Sequence, residues 1–254
     1  LENIEPGGRL VFDSVGALIY PNPASGGSPL LRSTDGGTTW QPFGQGYPVN
    51  SARQLLLDPG KPGRSWLVGE CGGGLGLSED GGLTFGPAPQ SPKNVCQPLL
   101  VSDAAGQRLY LIAWGNSYRS DDGGGSWESL APLSGYFHAA ALDPQDANVL
   151  YLASTHLGVL KTTDGGAAWQ KVNRGLPALG VYDLLADPAQ PGTLYAALAG
   201  GVYVTSDGGA AWQPLASGLG PNPLVYSLAL DPADPSLLYA FTPDGLFRLK
   251  IKSS

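Results

Sequence analysis

Short apolar runs, separated by turns rich in Gly, Pro and Asp, recur along the whole chain. Residues 181–187, 193–198, 202–205 and 211–215 are four such runs. They are separated by an Asp-Pro turn, a Gly-Gly turn and the sequence SDGGA. Runs of this length bounded by turn residues indicate strands joined by tight turns. The segment therefore predicts four consecutive antiparallel strands, which we label A to D in each repeat.

One octapeptide lies at the predicted turn between strands C and D and occurs five times. It reads STDGGTTW at residues 33–40 and TSDGGAAW at residues 205–212, and its copies are 42 to 45 residues apart. The aspartates of the five copies are Asp35, Asp80, Asp122, Asp164 and Asp207, and four copies close on Trp40, Trp127, Trp169 and Trp212. A period in the low forties suits the four-stranded blade of a propeller.

A second landmark gives the number of repeats. Asp58, Asp143, Asp187 and Asp231 each precede a proline, and degenerate copies stand at Asp13 and Asp103. The predicted fold is all-β, a six-bladed β-propeller of four-stranded antiparallel blades, in one domain over residues 1–254. The sixth repeat has room for only three strands, at residues 225–231, 237–241 and 245–250. We expect the N-terminal residues 3–6 to close the ring as its fourth strand, because closure removes an exposed sheet edge.

The octapeptide resembles the Asp-box, or BNR, motif of propellers in sialidases, xyloglucanases, sortilin-type receptors and photosystem assembly factors. The resemblance implies a structural role for the boxes, at the C–D turn and away from the ligand site. It does not imply one activity. Sialidases need three arginines around a carboxylate, whereas only Arg9, Arg53 and Arg174 lie off the box side here. Xyloglucanases use acidic residues between two larger propellers, and a lone small propeller cannot form that cleft.

Composition excludes several kinds of partner. The formal net charge is -7, with 14 basic and 21 acidic residues, so we expect no nucleic-acid ligand. No apolar stretch reaches the length of a membrane span, so we expect no membrane insertion. We expect a monomer. No HExxH, Gly-x-Ser-x-Gly or zinc-ligand spacing occurs, and we expect no metal or cofactor.

The candidate ligand site lies opposite the boxes, on the side that carries the start of strand A and the B–C loop of each blade. We call this side the loop face. Its polar and aromatic residues form a candidate channel mouth: Arg9, Arg53, Glu70, Trp114, His138, His156, Tyr182, Asp183, Tyr226 and Asp244. They predict a non-catalytic binding or assembly module for a glycan or protein ligand, although the same residues also suit ordinary solvated loops.

An enzymatic function remains an alternative to the binding function. Glu70, Asp183 and Asp244 could form a carboxylate pair for glycoside hydrolysis if two of them lay roughly 5 to 10 Å apart. His138 and His156 with Asp183 could suggest a metal or a catalytic triad, but isolated histidines more often belong to loops or the core. A glycan-directed glycoside hydrolase is therefore the alternative function, and sialidase chemistry its least favoured form.

The chain has two cysteines. Cys71 follows the predicted strand B of blade 2, and Cys96 begins the predicted strand A of blade 3. This topology sets both on the same face of neighbouring blades, so we expect a disulfide. A persistent disulfide needs an oxidising compartment, which predicts a secreted or periplasmic protein. Two reduced thiols in a cytoplasmic protein are the alternative, because small cysteines often only fill space.

Overall fold

The structure is a computed structural model that describes residues 11–13, 15–21, 28–46, 52–72, 74–215, 219, 223–231, 234 and 236–251. Over these residues the chain forms strands and no helix. Consequently, the described part of the chain contains no helix long and apolar enough to cross a membrane. The residues fall into two compact units, Leu1–Leu133 and Ser134–Ser254.

The first unit contains three antiparallel sheets of four strands each. Blade 1 consists of β1 (Val11–Phe12), β2 (Leu18–Pro21), β3 (Leu30–Ser33) and β4 (Gln41–Phe43). Blade 2 consists of β5 (Ala52–Leu57), β6 (Ser65–Gly69), β7 (Leu75–Ser78) and β8 (Gly86–Pro87). Blade 3 consists of β9 (Leu99–Ser102), β10 (Leu109–Ala113), β11 (Asn116–Ser120) and β12 (Glu128–Ser129).

The second unit contains two four-stranded sheets and one three-stranded sheet. Blade 4 consists of β13 (Ala139–Leu142), β14 (Leu150–Ser154), β15 (Gly158–Thr162) and β16 (Gln170–Lys171). Blade 5 consists of β17 (Val181–Ala186), β18 (Leu194–Leu198), β19 (Gly201–Thr205) and β20 (Gln213–Pro214). Blade 6 consists of β21 (Ser227–Leu230), β22 (Leu237–Thr242) and β23 (Gly245–Lys250).

These sheets confirm the predicted fold class, an all-β six-bladed propeller with four-stranded antiparallel blades. Blades 1 to 5 follow the chain order A to D, the three described strands of blade 6 follow the order A to C, and neighbouring strands within each sheet are antiparallel. The predicted closing segment, residues 3–6, lies outside the described residues, so closure by the N-terminus stays a prediction.

The core lies between consecutive blades within each unit. In β6, Leu67 packs with Ile19 and Leu30 of blade 1, whereas Trp66 and Val68 pack with residues of blade 3. Successive side chains of a strand point to opposite faces, and here both faces meet a neighbouring blade. This is why the sequence shows continuous apolar runs instead of alternation.

The Asp box forms a compact turn between strands C and D. In blade 1 the Ser33 hydroxyl donates to the Asp35 carboxylate at 2.7 Å, and the Thr39 amide donates to the same carboxylate at 2.9 Å. Gly36 and Gly37 have φ values of 70° and 89°, in the left-handed region that favours glycine. The motif therefore supplies the acceptor for its turn hydrogen bonds and the glycines that adopt its left-handed backbone conformation.

The closing aromatic residue of a box contacts the preceding blade. Trp212 of blade 5 is buried in a cluster with Tyr151 of blade 4, and its indole N–H donates to the Val172 carbonyl at 2.7 Å. Its backbone N–H donates to the Arg174 carbonyl at 2.8 Å. A Cβ atom on Gly175 would lie 2.1 Å from the Trp212 carbonyl oxygen, so glycine is needed where the blades meet.

Candidate functional site

Two β-bulges mark the loop face at corresponding positions of strand A. In β5 the pairing with β6 shifts between Ala52 and Gln54, which leaves Arg53 as the extra residue. In β17 the pairing with β18 shifts between Val181 and Asp183, which leaves Tyr182 as the extra residue. Bulges re-aim side chains and are common beside functional sites. Both bulged residues belong to the predicted ligand set.

In the first unit, an ion pair, a disulfide and a backbone hydrogen bond connect the predicted residues Arg53, Glu70 and Trp114. Arg53 Nη1 lies 3.5 Å from the Glu70 carboxylate, and Glu70 immediately precedes Cys71. The predicted disulfide between Cys71 and Cys96 is confirmed, with the two Cα atoms 4.0 Å apart. The Trp114 amide donates to the Cys96 carbonyl at 3.0 Å, and the Trp114 residue is 65% exposed. The bridge thus links an ion pair to an exposed indole.

The segment that leads to this bridge has an unusual backbone. Gln90, Asn94 and Gln97 have φ values of 51°, 58° and 51°, and they are the only described non-glycine residues with positive φ. Such conformations are costly and persist where the surroundings fix them. Buried Val95 and the disulfide at Cys96 hold this segment in place.

In the second unit, the two predicted histidines share one hydroxyl group. His138 Nε2 lies 3.2 Å from the Thr155 hydroxyl, and His156 Nδ1 lies 3.0 Å from the same oxygen. The ring of Tyr136 meets the His138 ring edge-on, with centroids 4.4 Å apart. Among the described residues, no group of three or more His, Cys, Asp or Glu side chains is placed to hold a metal ion.

An aromatic row lies beside the second bulge. Tyr182 and Tyr226 have ring centroids 6.1 Å apart, and Tyr226 and Phe241 have centroids 6.5 Å apart. Tyr226 and Phe241 are exposed, and the Tyr226 amide donates to the Phe241 carbonyl at 2.9 Å. The row therefore spans blades 5 and 6 and presents aromatic surface to solvent.

Asp183 requires a correction to its predicted place among the ligand-contacting residues. It is 3% exposed, and its carboxylate accepts hydrogen bonds from the Leu228 amide at 2.9 Å and the Ser227 hydroxyl at 3.0 Å. Its other oxygen accepts from the Leu184 amide. The carboxylate therefore joins strand A of blade 5 to strand A of blade 6.

Gln54 makes the matching connection in the first unit. Its side-chain amide accepts from the Leu100 amide at 2.9 Å and donates to the Leu100 carbonyl at 2.7 Å. Gln54 and Asp183 follow the two bulged residues, so each bulge places one residue on the loop face and the next between blades.

The remaining predicted residues are not brought together. Asp244 is exposed, and its amide donates to the Thr242 hydroxyl at 3.1 Å. Arg9 lies outside the described residues. Sequence reasoning missed Thr155 and Phe241, because a threonine in a loop and an apolar residue at a strand end have no distinctive pattern. The clearest sequence signal for Phe241 was its place at the end of predicted strand B of blade 6, which follows the strand that begins near Tyr226.

The box carboxylates have lowered pKa values that oppose a role as general acids. The hydroxyl and amide of Thr39 donate to Asp35 and lower its pKa to about 2. The same arrangement lowers the pKa of Asp80 and Asp122 to about 2. The pKa of Asp164, whose main donor is the Ala168 amide, is also lowered. Carboxylates that stay ionised to low pH are poor general acids.

Comparisons with known proteins agree with this architecture. The model of the BNR/Asp-box repeat matches residues 31–42. A xyloglucanase from Paenibacillus sp is 31% identical over 185 residues, which cover 68% of this chain and 16% of the xyloglucanase. This chain thus spans a small part of that relative's length.

Two solved structures share the fold at low sequence identity. An ancestral GH74 enzyme has a TM-score of 0.70 at 20% identity, over 98% of this chain and 39% of that one. YCF48 bound to D1 peptide has a TM-score of 0.72 at 20% identity, over 96% of this chain and 77% of that one. The similar proteins therefore include both hydrolases of the GH74 class and the peptide-bound YCF48.

Proposed function

Because the chain is an Asp-box (BNR) repeat β-propeller, we propose that it is a non-catalytic binding or assembly module. Its loop face binds a glycan or a protein ligand, while the boxes on the other side hold the blades together. The xyloglucanase relative supports a glycan, and the peptide-bound YCF48 supports a polypeptide.

The aromatic row of Tyr182, Tyr226 and Phe241 carries this proposal. Aromatic side chains supply large, rigid contact area at little entropic cost, and tyrosine adds a hydroxyl at its tip. An exposed aromatic group beside a bulge suits both the face of a sugar ring and the side chains of a peptide. Tyr226 is 43% exposed and Phe241 is 53% exposed, as expected of a binding surface.

A glycoside hydrolase is the second candidate, favoured by the similarity to the xyloglucanase. Hydrolysis needs two carboxyl groups free to reach the scissile bond, one of them able to donate a proton. Of the three predicted candidates, Asp183 is committed to hydrogen bonds between blades and Glu70 faces Arg53. The Glu70 side chain is 39% exposed but paired with Arg53, and only Asp244 of the three is both exposed and outside such a pair, which supports binding over catalysis.

The test measures hydrolysis and binding on the same protein sample. Hydrolysis of xyloglucan and of chromogenic glycosides is followed by released sugar and colour, and binding of xyloglucan oligosaccharides and of a short-peptide array is measured beside it. We expect binding of one ligand class and no turnover. Tyr226→Ala should weaken that binding about tenfold, which is typical of an interface anchor.

Tyr226→Phe is the matched control, because it keeps the ring and removes only the hydroxyl. It should bind within about threefold of the original protein if the ring face carries the contact. Turnover abolished by Asp244→Asn would instead establish the hydrolase. Full binding by Tyr226→Ala would remove the aromatic row from the site.

The disulfide supports a location in an oxidising compartment, and we propose that the protein is secreted or periplasmic. Alkylation of the denatured, unreduced protein from its native source should add no groups to Cys71 and Cys96, and two after reduction. Modification before reduction would contradict this location.

We also propose that the protein is a monomer, and sedimentation velocity checks this oligomeric state.

A further inference from the structure

The A–B turn of blade 1 is shorter than those of the other blades. The Asp13 amide donates to the carbonyl of Ala17, four residues later, at 2.9 Å. The corresponding bond in blade 2 runs from the Asp58 amide to the Arg64 carbonyl, six residues later. The short turn ends on a small side chain and leaves an open cleft of about 520 Å³ between blades 1 and 2. This cleft lies on the side of the Asp boxes, opposite the loop face.

The cleft has apolar walls and a polar floor. Its apolar lining includes Phe12, Val15, Phe43, Leu57 and Leu83. Two ion pairs contribute the polar lining, one between Arg32 and Asp13 at 2.7 Å and one between Arg64 and Asp58. A concave site of this size, mostly apolar with a few convergent polar groups, is typical of a binding pocket.

Leu83 is exceptional among the boxes. Four boxes carry a small or polar residue at the corresponding position, namely Thr38, Gly125, Ala167 and Ala210. Only the box beside the cleft carries a large apolar side chain there, and Leu83 is 58% exposed. Across the cleft, Val15 in the short turn is 78% exposed. Two departures from the repeat pattern therefore meet at one pocket, and exposed apolar surface of this kind marks interaction sites.

The charges of the cleft disfavour an anionic occupant. Arg32 and Arg64 are each matched by an aspartate, so the two pairs contribute no net charge. The third acidic lining residue, Asp80, repels an anionic ligand. The Arg32 guanidinium stacks on the Phe43 ring at 5.3 Å and adds a flat surface to the wall.

We propose that this cleft binds a tyrosine or tryptophan side chain of a partner polypeptide. The aromatic body would lie against the apolar wall, and the hydroxyl or indole N–H would meet the ion pairs on the floor. A free aromatic molecule would cover less of the exposed surface of Val15 and Leu83 than a polypeptide would. A polypeptide would cover both with the residues that flank its aromatic anchor, as contacts around a hot spot exclude water.

The test uses the full chain with 13C-labelled valine and leucine methyl groups. The probe is the pentapeptide Ac-Ala-Ala-Tyr-Ala-Ala-NH2, with tryptophan and alanine versions. We expect saturable ring-current shifts of the Val15 and Leu83 methyl resonances with the two aromatic peptides and none with the alanine peptide. Leu83→Asp should weaken binding about tenfold, measured on the Val15 methyl groups.

Ala210→Asp is the matched control, because it places the same charge at the same exposed box position in the other unit. It should bind the peptide as the original protein does. Absence of saturable shifts, or equal binding by Leu83→Asp, would overturn the proposal. Binding of 4-methylphenol as tight as that of the tyrosine peptide would reject a polypeptide partner. The loop-face variant Tyr226→Ala should leave this binding unchanged, which separates the two proposals.

Discussion

Replacing Asp183 with alanine tests whether this residue is structural or part of a ligand site. The substitution removes the acceptor of the Leu228 amide, at 2.9 Å, and of the Ser227 hydroxyl, at 3.0 Å. Leu228 is buried, so its amide would have no ready replacement by water. A buried donor left without a partner costs about 1–3 kcal/mol.

The net loss is smaller than the sum of these bonds, because the variant no longer buries a carboxylate. We expect the free energy of unfolding to fall by about 2 kcal/mol, which lowers the Tm of a chain of this size by roughly 4–8 °C. Urea unfolding followed by tryptophan fluorescence gives the first value, and calorimetry gives the second.

Asp244→Ala is the control, because Asp244 is exposed and should change stability by no more than about 0.5 kcal/mol. Ligand binding by the folded fraction of Asp183→Ala should match that of the original protein. If stability were unchanged while binding or turnover disappeared, Asp183 would belong to the active surface and the structural assignment would be wrong.

Three further predictions concern the box, its pKa and the disulfide. Trp212→Ala should lower the free energy of unfolding by about 3–5 kcal/mol, measured in urea, because the ring is buried and its N–H donates to Val172. Ala168→Thr adds a hydroxyl donor and should lower the pKa of Asp164 further, seen in a carboxyl-carbon NMR titration. The added stability should be present above the unfolded pKa near 3.8 and disappear as the pH falls through the folded value. Cys71→Ser opens the loop closed by the disulfide and should cost about 3 kcal/mol, whereas an unchanged unfolding midpoint would contradict this.

The repeats predict where the strands of this protein lie, but they do not predict how long each strand is. The sequence predicts strand D of blade 5 at residues 211–215, whereas β20 covers only Gln213–Pro214. The difference arises because the Trp212 amide bonds to Arg174 of the preceding blade instead of to its own sheet. Pairing across blades has no local sequence signal, since the partner lies far along the chain.

The sequence predicts which side of the propeller carries the candidate site, but it predicts only some of the residues that form it. Alignment of the repeats on their strand A aspartates groups Tyr182 with Tyr226, and the two ring centroids lie 6.1 Å apart. The same alignment could not show that Asp183 is buried, because its role depends on where the pairing shifts and on the approach of Leu228. The disulfide was predictable because topology alone places both cysteines on one side of adjacent blades.

In blades 2 and 5, the contact of the box with the blade before it gives these repeats a direction. Phe85 of blade 2 bonds through its amide to Gln45 of blade 1, as Trp212 does to Arg174 three blades later along the chain. During synthesis the earlier blade of each pair emerges first, so its outer strand can be in place when the next aromatic side chain arrives. Blades added at the C-terminal end of a unit would therefore find their docking surface already made, whereas loss of the first blade would leave the aromatic residue of the second without one.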